Sequence, residues 1–177
     1  QTTPFALEVN GVMLPQVQRV VCAEYSPAIQ LAVLQLDTAA MQGPVLDIGC
    51  GQHAYLVRYL REKGIAAFGI DRFIEAPEHY LQPAGWMEYP LTPGYWGTII
   101  SNLSFSNHFL HHHQRSNSEY LDYAKKYMEI LASLRPGGSY HYAPQLPMIE
   151  SWLPADVYSI RHYSVGEHFS NTVVTKR

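Results

Sequence analysis

A chain of 177 residues with 12 Lys plus Arg, 15 Asp plus Glu and 9 His carries a formal charge of −3 when its histidines are neutral. At 47% hydrophobic and 15% charged residues it has enough apolar material for one domain with a buried core, and it lacks the composition of a disordered segment. The slight acidity and the absence of any Lys/Arg block remove the electrostatic footprint of a protein built to grip a phosphate backbone, so no nucleic-acid partner is expected.

Residues 1–44 read as a helical leader that packs on the core, with Ser26 as N-cap, Pro27 at the first helical position, and Ile29, Val33 and Leu36 at helical spacing before Gly43-Pro44. The core is expected over 45–177. Val45-Leu46-Asp47-Ile48 is a short buried strand that runs into Gly49-Cys50-Gly51 and then a helix in which Leu56, Val57 and Leu60 recur, closed by Gly64. A second strand at 66–70 ends in Asp71, and a weaker third is expected near 86–89. Residues 95–101 form a convincing strand, followed by the polar, aromatic and His-rich stretch 102–116, to which no element is assigned. A helix over 118–134 places Leu121, Ala124, Met128 and Leu131 on one face and stops at Pro136-Gly137-Gly138. A strand at 139–143, a short helical segment at 148–153 and two strand-like runs, 157–163 and 171–175, complete the chain. In the strand at 139–143, Tyr140 and Tyr142 alternate with Ser139 and His141 and are expected to divide between core and surface. Strands alternating with helical patterns describe parallel βαβ units and an α/β fold.

Cys22 and Cys50 are too sparse for a disulfide framework or a thiolate metal site and fit a reducing compartment. No stretch approaches 18 consecutive apolar residues, and residues 1–15 lack a basic region followed by an apolar core, so no membrane partner is expected and the protein reads as cytoplasmic. The chain begins with Gln1 rather than Met, which leaves room for further N-terminal sequence.

The sharpest chemical feature is the glycine turn after an apolar strand, with an acidic residue, Asp71, at the end of the next strand. Glycines let the backbone pass close to a ligand, the following helix offers unpaired N–H groups, and the neighbouring carboxylate can accept from both hydroxyls of a ribose. This is a nucleoside-binding arrangement in outline.

These residues resemble the class I S-adenosylmethionine-dependent methyltransferases, whose first motif Val45 to Gly51 matches position for position. Gly69-Ile70-Asp71, Trp96-Gly97-Thr98-Ile99-Ile100-Ser101-Asn102 and Leu134-Arg135-Pro136-Gly137-Gly138 follow in the family's order, and the last two strands look like its terminal hairpin. The resemblance implies a doubly wound, Rossmann-like sheet of seven strands, mostly parallel, with one antiparallel strand in a C-terminal hairpin. It also implies S-adenosylmethionine as methyl donor, lying across the carboxyl ends of the first, second and fourth strands. Carried over by position, Gly49 and Gly51 line the donor's methionine part with Cys50 between them, and Asp47 helps hold its ammonium. Asp71 takes the ribose with Arg72 beside it, Met87 and Glu88 border the adenine, and Ser101, Asn102 and Leu103 face the sulfonium end.

This sequence departs from the family pattern at three places. His53 stands where the motif has its third glycine, Gly97 replaces a frequent Asp before the fourth strand, and Asn102-Leu103-Ser104-Phe105 replaces an Asn-Pro-Pro-Tyr type sequence. The last argues against the branches that methylate adenine or glutamine amide. The spacing Gly49-Cys50-Gly51-Gln52-His53-Ala54 also admits a nicotinamide dinucleotide, but Asp47 and the Leu-Arg-Pro-Gly-Gly sequence favour the methyl donor.

Methyl transfer needs a nucleophile at attack distance and, where that nucleophile carries a proton, a base. His108 is the first choice for the base, against the plainer reading of a solvated His-rich surface. His108, His111 and His112 have the spacing of one helix face, yet no Cys or carboxylate completes a ligand set, so no metal is expected. Tyr25, Phe105 and Phe109 are candidates to touch substrate, and Trp86, Trp96 and Trp152 add to the aromatic material for a pocket. The function expected is O- or N-methylation of a small molecule. Two alternatives stand beside it: a non-catalytic donor-binding partner subunit, and an enzyme of this fold that uses the donor without methyl transfer. Nothing in the sequence speaks to oligomeric state.

Overall fold

The computed structural model describes residues 7–9, 12–14, 26–115, 119–165 and 169–177. Two short strands, β1 (Leu7–Val9) and β2 (Val12–Leu14), pair antiparallel with each other, and α1 spans Pro27–Val33. The leader is therefore not purely helical: the N-cap at Ser26, whose hydroxyl accepts from the Ile29 amide, starts one short helix, while the segment before it carries a ladder. Tyr25 and Cys22 lie outside the described residues.

The core alternates strand and helix: β3 (Val45–Ile48), α2 (Tyr55–Glu62), β4 (Ala67–Ile70), β5 (Leu81–Gln82), β6 (Trp96–Asn102), α3 (Phe105–Arg115), α4 (Glu119–Ser133), β7 (Leu134–Ala143), α5 (Pro147–Glu150), β8 (Tyr158–Val165) and β9 (Phe169–Lys176). The strands form one seven-stranded sheet in the order β5-β4-β3-β6-β7-β9-β8. Pairings from β5 through β7 are parallel, and β9 inserts antiparallel between β7 and β8. This is the doubly wound sheet with one reversed strand that the motifs imply.

Side-chain alternation divides the core between the two faces of the sheet. Leu46, Ile48, Ile99, Tyr140 and Tyr142 pack with α3 and α4, where Phe105, Phe109, Tyr127 and Leu131 are buried. Val45, Ala67, Ile100 and Ala143 face the other way, onto Val33 of α1 and Leu56, Val57 and Leu60 of α2. Tyr140 and Tyr142 thus do not divide between core and surface; two residues apart on one strand, both are fully buried.

Three elements differ from the sequence expectation. The third strand is Leu81–Gln82, and 86–89 instead turns back on itself with the Tyr89 amide donating to the Gly85 carbonyl at 3.1 Å. The His-rich stretch is a helix, α3, held by its buried Phe105, Ser106 and Phe109. The helical segment expected at 148–153 is only α5, followed by turns. Gly97, where the family often has Asp, sits under the leader: a Cβ there would stand 2.5 Å from the Gln42 carbonyl oxygen, so the crossing chain excludes any side chain.

Behind the sheet, α5 delivers Glu150 into the interior, 4% exposed. Its Oε1 accepts from Tyr142 Oη (2.5 Å), the Leu146 amide (2.8 Å) and Thr172 Oγ1 (2.8 Å), and its Oε2 lies 2.6 Å from His162 Nε2. One carboxylate so ties α5 to β7, β8 and β9. Glu150→Gln keeps a carbonyl oxygen for the three donors on Oε1 but removes the charge that strengthens those bonds and turns the group facing His162 into a donor, and urea denaturation is expected to show a loss of about 1–3 kcal/mol. An unchanged midpoint would remove Glu150 from the stability account.

Candidate active site

A cleft of about 270 Å³ opens at the carboxyl ends of β3, β4 and β6. Its wall takes Gly49 and Gly51 from the first turn, Asp71, Arg72 and Phe73 from the end of β4, and Leu103 and Ser104 from the end of β6. The 84–88 turn closes one side, His108 of α3 and Tyr123 of α4 another.

The glycine turn is stitched to β4. The Gly49 and Cys50 amides donate to the Ile70 carbonyl at 2.8 and 3.1 Å, the Gly51 amide donates to Asp71 Oδ2 at 3.0 Å, and the Phe73 amide donates to Asp71 Oδ1 at 2.8 Å. Asp71 is thereby fixed at the lip with lone pairs still open toward the cleft. Gly49 adopts φ +74°, and a Cβ there would come within 2.5 Å of Ser104 Cβ. Both the left-handed backbone and the close approach demand glycine. Ser104 Oγ donates to the Ile48 carbonyl at 2.7 Å, so at 2.9 Å it accepts from Ser101 Oγ, and the ends of β3 and β6 are locked together.

Asp47 lies beneath this turn, 2% exposed. Burial, reinforced by the nearby Asp71 charge, pushes its carboxyl from 3.8 up to about 7. Its Oδ2 and the Oδ1 of Asn102, at the end of β6, are buried with no hydrogen-bond partner among the described residues. Two buried acceptors that lack donors are the complement of a ligand that brings N–H groups. Cys50 is buried, its thiol raised far above the ordinary range by burial, so it is an inert packing group.

At the far side the Trp86 indole meets the His108 imidazole edge-on, 5.2 Å between centroids, and is backed by Phe105 at 6.3 Å. Partial desolvation of the His108 ring against Trp86 lowers its pKa below 6.5, and the neighbouring His112, Arg72 and His111 act in the same direction. The ring is therefore neutral at pH 7 and able to accept a proton. His112 stacks on Tyr123 at 4.9 Å and pairs with Glu119 at 3.0 Å. No group of three or more His, Cys, Asp or Glu among the described residues is arranged to hold a metal ion.

Of the residues singled out from sequence, Gly49, Gly51, Asp71, Arg72, Met87, Glu88, Leu103 and His108 line this cleft, while Asp47, Cys50 and Asn102 are buried behind its floor. Phe105 and Phe109 do not reach it: at 0% and 2% exposure they belong to the core under α3, which corrects their reading as substrate contacts. Their i, i+4 spacing was the available signal for a buried helix face. Trp96 is likewise core and Trp152 lies 84% exposed, leaving Trp86 as the tryptophan of the cleft. Sequence reasoning missed Phe73 and Tyr123 as cleft residues; Tyr123 sits on a helix with ordinary core periodicity, and only the packing of α3 on α4 turns it inward. A second cleft of about 250 Å³ lies against the leader, where His141 is already engaged by the Leu34 carbonyl (2.8 Å) and Ser139 Oγ (2.9 Å). Among the described residues, the first cleft is the one that opens at the carboxyl ends of β3, β4 and β6, beside the glycine turn and Asp71.

No family model matches the chain, and no curated protein sequence does. Solved structures do. The chain is similar to a Burkholderia thailandensis 1,6-didemethyltoxoflavin-N1-methyltransferase with bound 1,6-didemethyltoxoflavin and S-adenosylhomocysteine, at 18% identity and TM-score 0.55, covering 88% of this chain and 79% of that one. It is similar to a Pyrococcus horikoshii protein at 12% identity and TM-score 0.59, covering 89% and 94%. It also aligns, over 99% of its length but 45% of the other's, with a T. thermophilus 16S rRNA methyltransferase in complex with AdoMet and guanosine, at 13% identity and TM-score 0.55. The fold is that of the class I S-adenosylmethionine-dependent methyltransferases. No helix among the described residues is long and apolar enough to cross a membrane.

Proposed function

We propose that this chain is an S-adenosylmethionine-dependent methyltransferase that methylates oxygen or nitrogen of a small molecule in the cytoplasm. The observation that carries the reading is the Asp71 carboxylate clamped by the Gly51 and Phe73 amides at the lip of the Gly49–Gly51 turn, above an Asp47 that is buried with an unpartnered oxygen. When bound, S-adenosylmethionine supplies a methyl group activated on a sulfonium.

The chain's own residues do the rest. Gly49 and Gly51 give a backbone surface free of side chains, Asp71 offers acceptors for a ribose with Arg72 beside it, and Met87 and Glu88 edge the adenine end. Asp47 receives the ammonium, Asn102 and Leu103 face the sulfonium end, and Cys50 packs the turn from beneath. Neutral His108 takes the proton from the acceptor's O–H or N–H. Tyr25 retains its proposed role as a substrate contact from the leader.

Incubation with S-adenosylmethionine and a panel of phenols, amines and N-heterocycles, followed by mass spectrometry, tests this. A methylated acceptor together with S-adenosylhomocysteine is the expected result. Donor binding with no product would indicate a partner subunit, and donor breakdown without a methylated acceptor would indicate other chemistry on the same fold.

A further inference from the structure

Resting on the reading above, we propose that the acceptor is a planar aromatic anion, a carboxylate or phenolate, held by the Arg72 guanidinium against the Trp86 and His108 rings at the mouth of the cleft. Two independent features of the cleft converge on this ligand. The first is shape. Trp86 and His108 present a pair of rings set at 61°, Tyr123 closes the wall behind them, and Phe73 stands at the rim with 63% of its surface exposed. An exposed phenyl beside a concave aromatic wall leaves apolar surface in water that a flat ring would cover.

The second is charge. Asp71 is already bonded through both oxygens to the Gly51 and Phe73 amides. Glu88 folds back over Gly85, where its Oε2 would stand 2.2 Å from a Cβ on that glycine, and Glu119 is taken by His112. Arg72 lies in the cleft wall with its guanidinium 5.2 Å from the Phe73 ring, and no carboxylate lies within ion-pair distance of it among the described residues. With no carboxylate paired to it among the described residues, the Arg72 guanidinium favours an anion at this wall of the cleft. A guanidinium fork fixes the plane of a carboxylate or phenolate and leaves a separate O–H or N–H of the acceptor to give its proton to His108.

The test uses the wild-type protein, Arg72→Met and Arg72→Lys, titrated with benzoate, with 4-nitrophenolate above its own pKa, and with the neutral counterparts benzamide and nitrobenzene. Binding is followed by tryptophan fluorescence with and without S-adenosylhomocysteine. At least one anion should bind tenfold or more tightly than its neutral counterpart; Arg72→Met should abolish that preference and Arg72→Lys should keep at least threefold of it. Benzoate against nitrophenolate distinguishes the two anionic groups. Equal binding of anions and neutrals, no saturable binding of either anion, or a preference that survives in Arg72→Met would overturn the proposal. An anion preference in a protein that does not bind S-adenosylhomocysteine would keep this inference and sink the methyl-donor reading instead.

Discussion

His108→Ala is expected to lower methyl-transfer turnover by about a hundredfold to ten-thousandfold, the range over which a positioned general base acts, while donor affinity stays nearly intact. The imidazole lines the cleft opposite the glycine turn, so its loss removes a proton acceptor without touching Gly49, Gly51 or Asp71. The pH profile carries the sharper signature. Because the pKa of His108 lies below 6.5, the wild-type rate should rise with pH to a midpoint below 6.5 and then level off. The alanine variant should lose that limb. Turnover that is unchanged, or a limb that persists without the imidazole, would remove His108 from the reaction.

Asp47→Asn should act in opposite directions on stability and binding. A carboxyl whose pKa is raised from 3.8 to about 7 binds more protons folded than unfolded between those values, so its contribution to stability falls as pH rises through that window and is level above it. The accumulated cost above pH 7 is on the order of 4 kcal/mol, and a neutral amide escapes it. The variant should therefore match wild type near pH 4 and exceed it by a growing margin up to pH 7, as read from thermal unfolding across pH. Donor affinity should drop by about tenfold to a hundredfold, the worth of a hydrogen bond to a charged group, because the ammonium loses its carboxylate. A variant less stable than wild type at pH 8 would show that Asp47 is a structural anchor rather than a group held in readiness for a ligand.

The parts of the fold that were legible in the sequence are those fixed by local physics. Val45–Ile48 is wholly buried and apolar apart from Asp47, Gly49 needs its positive φ, and Gly64 ends α2 at φ +81°; each leaves a residue-level mark. Leu81–Gln82 leaves none, because two residues are too few for a periodicity, and the strand exists only through its pairing with Gly69 and Ile70. The helix α3 was hidden for a different reason: its buried face is aromatic and serine and its exposed face is histidine, so the usual contrast between aliphatic and charged positions is absent. The cleft divides the same way. Gly49, Gly51 and Asp71 follow from the turn chemistry at the strand ends, whereas Phe73, two residues past Asp71, carries no periodicity of its own and Tyr123 enters only through the packing of α4 on α3.

The central claim is that the Gly49–Gly51 turn and Asp71 form a nucleoside-bearing methyl-donor site. Isothermal titration calorimetry with S-adenosylhomocysteine measures it directly. Wild type should bind one equivalent, and Asp71→Ala, which removes the ribose acceptors and the bonds to the Gly51 and Phe73 amides, should bind on the order of a hundredfold more weakly. Absence of binding to the wild type, or equal affinity in Asp71→Ala, would contradict the account.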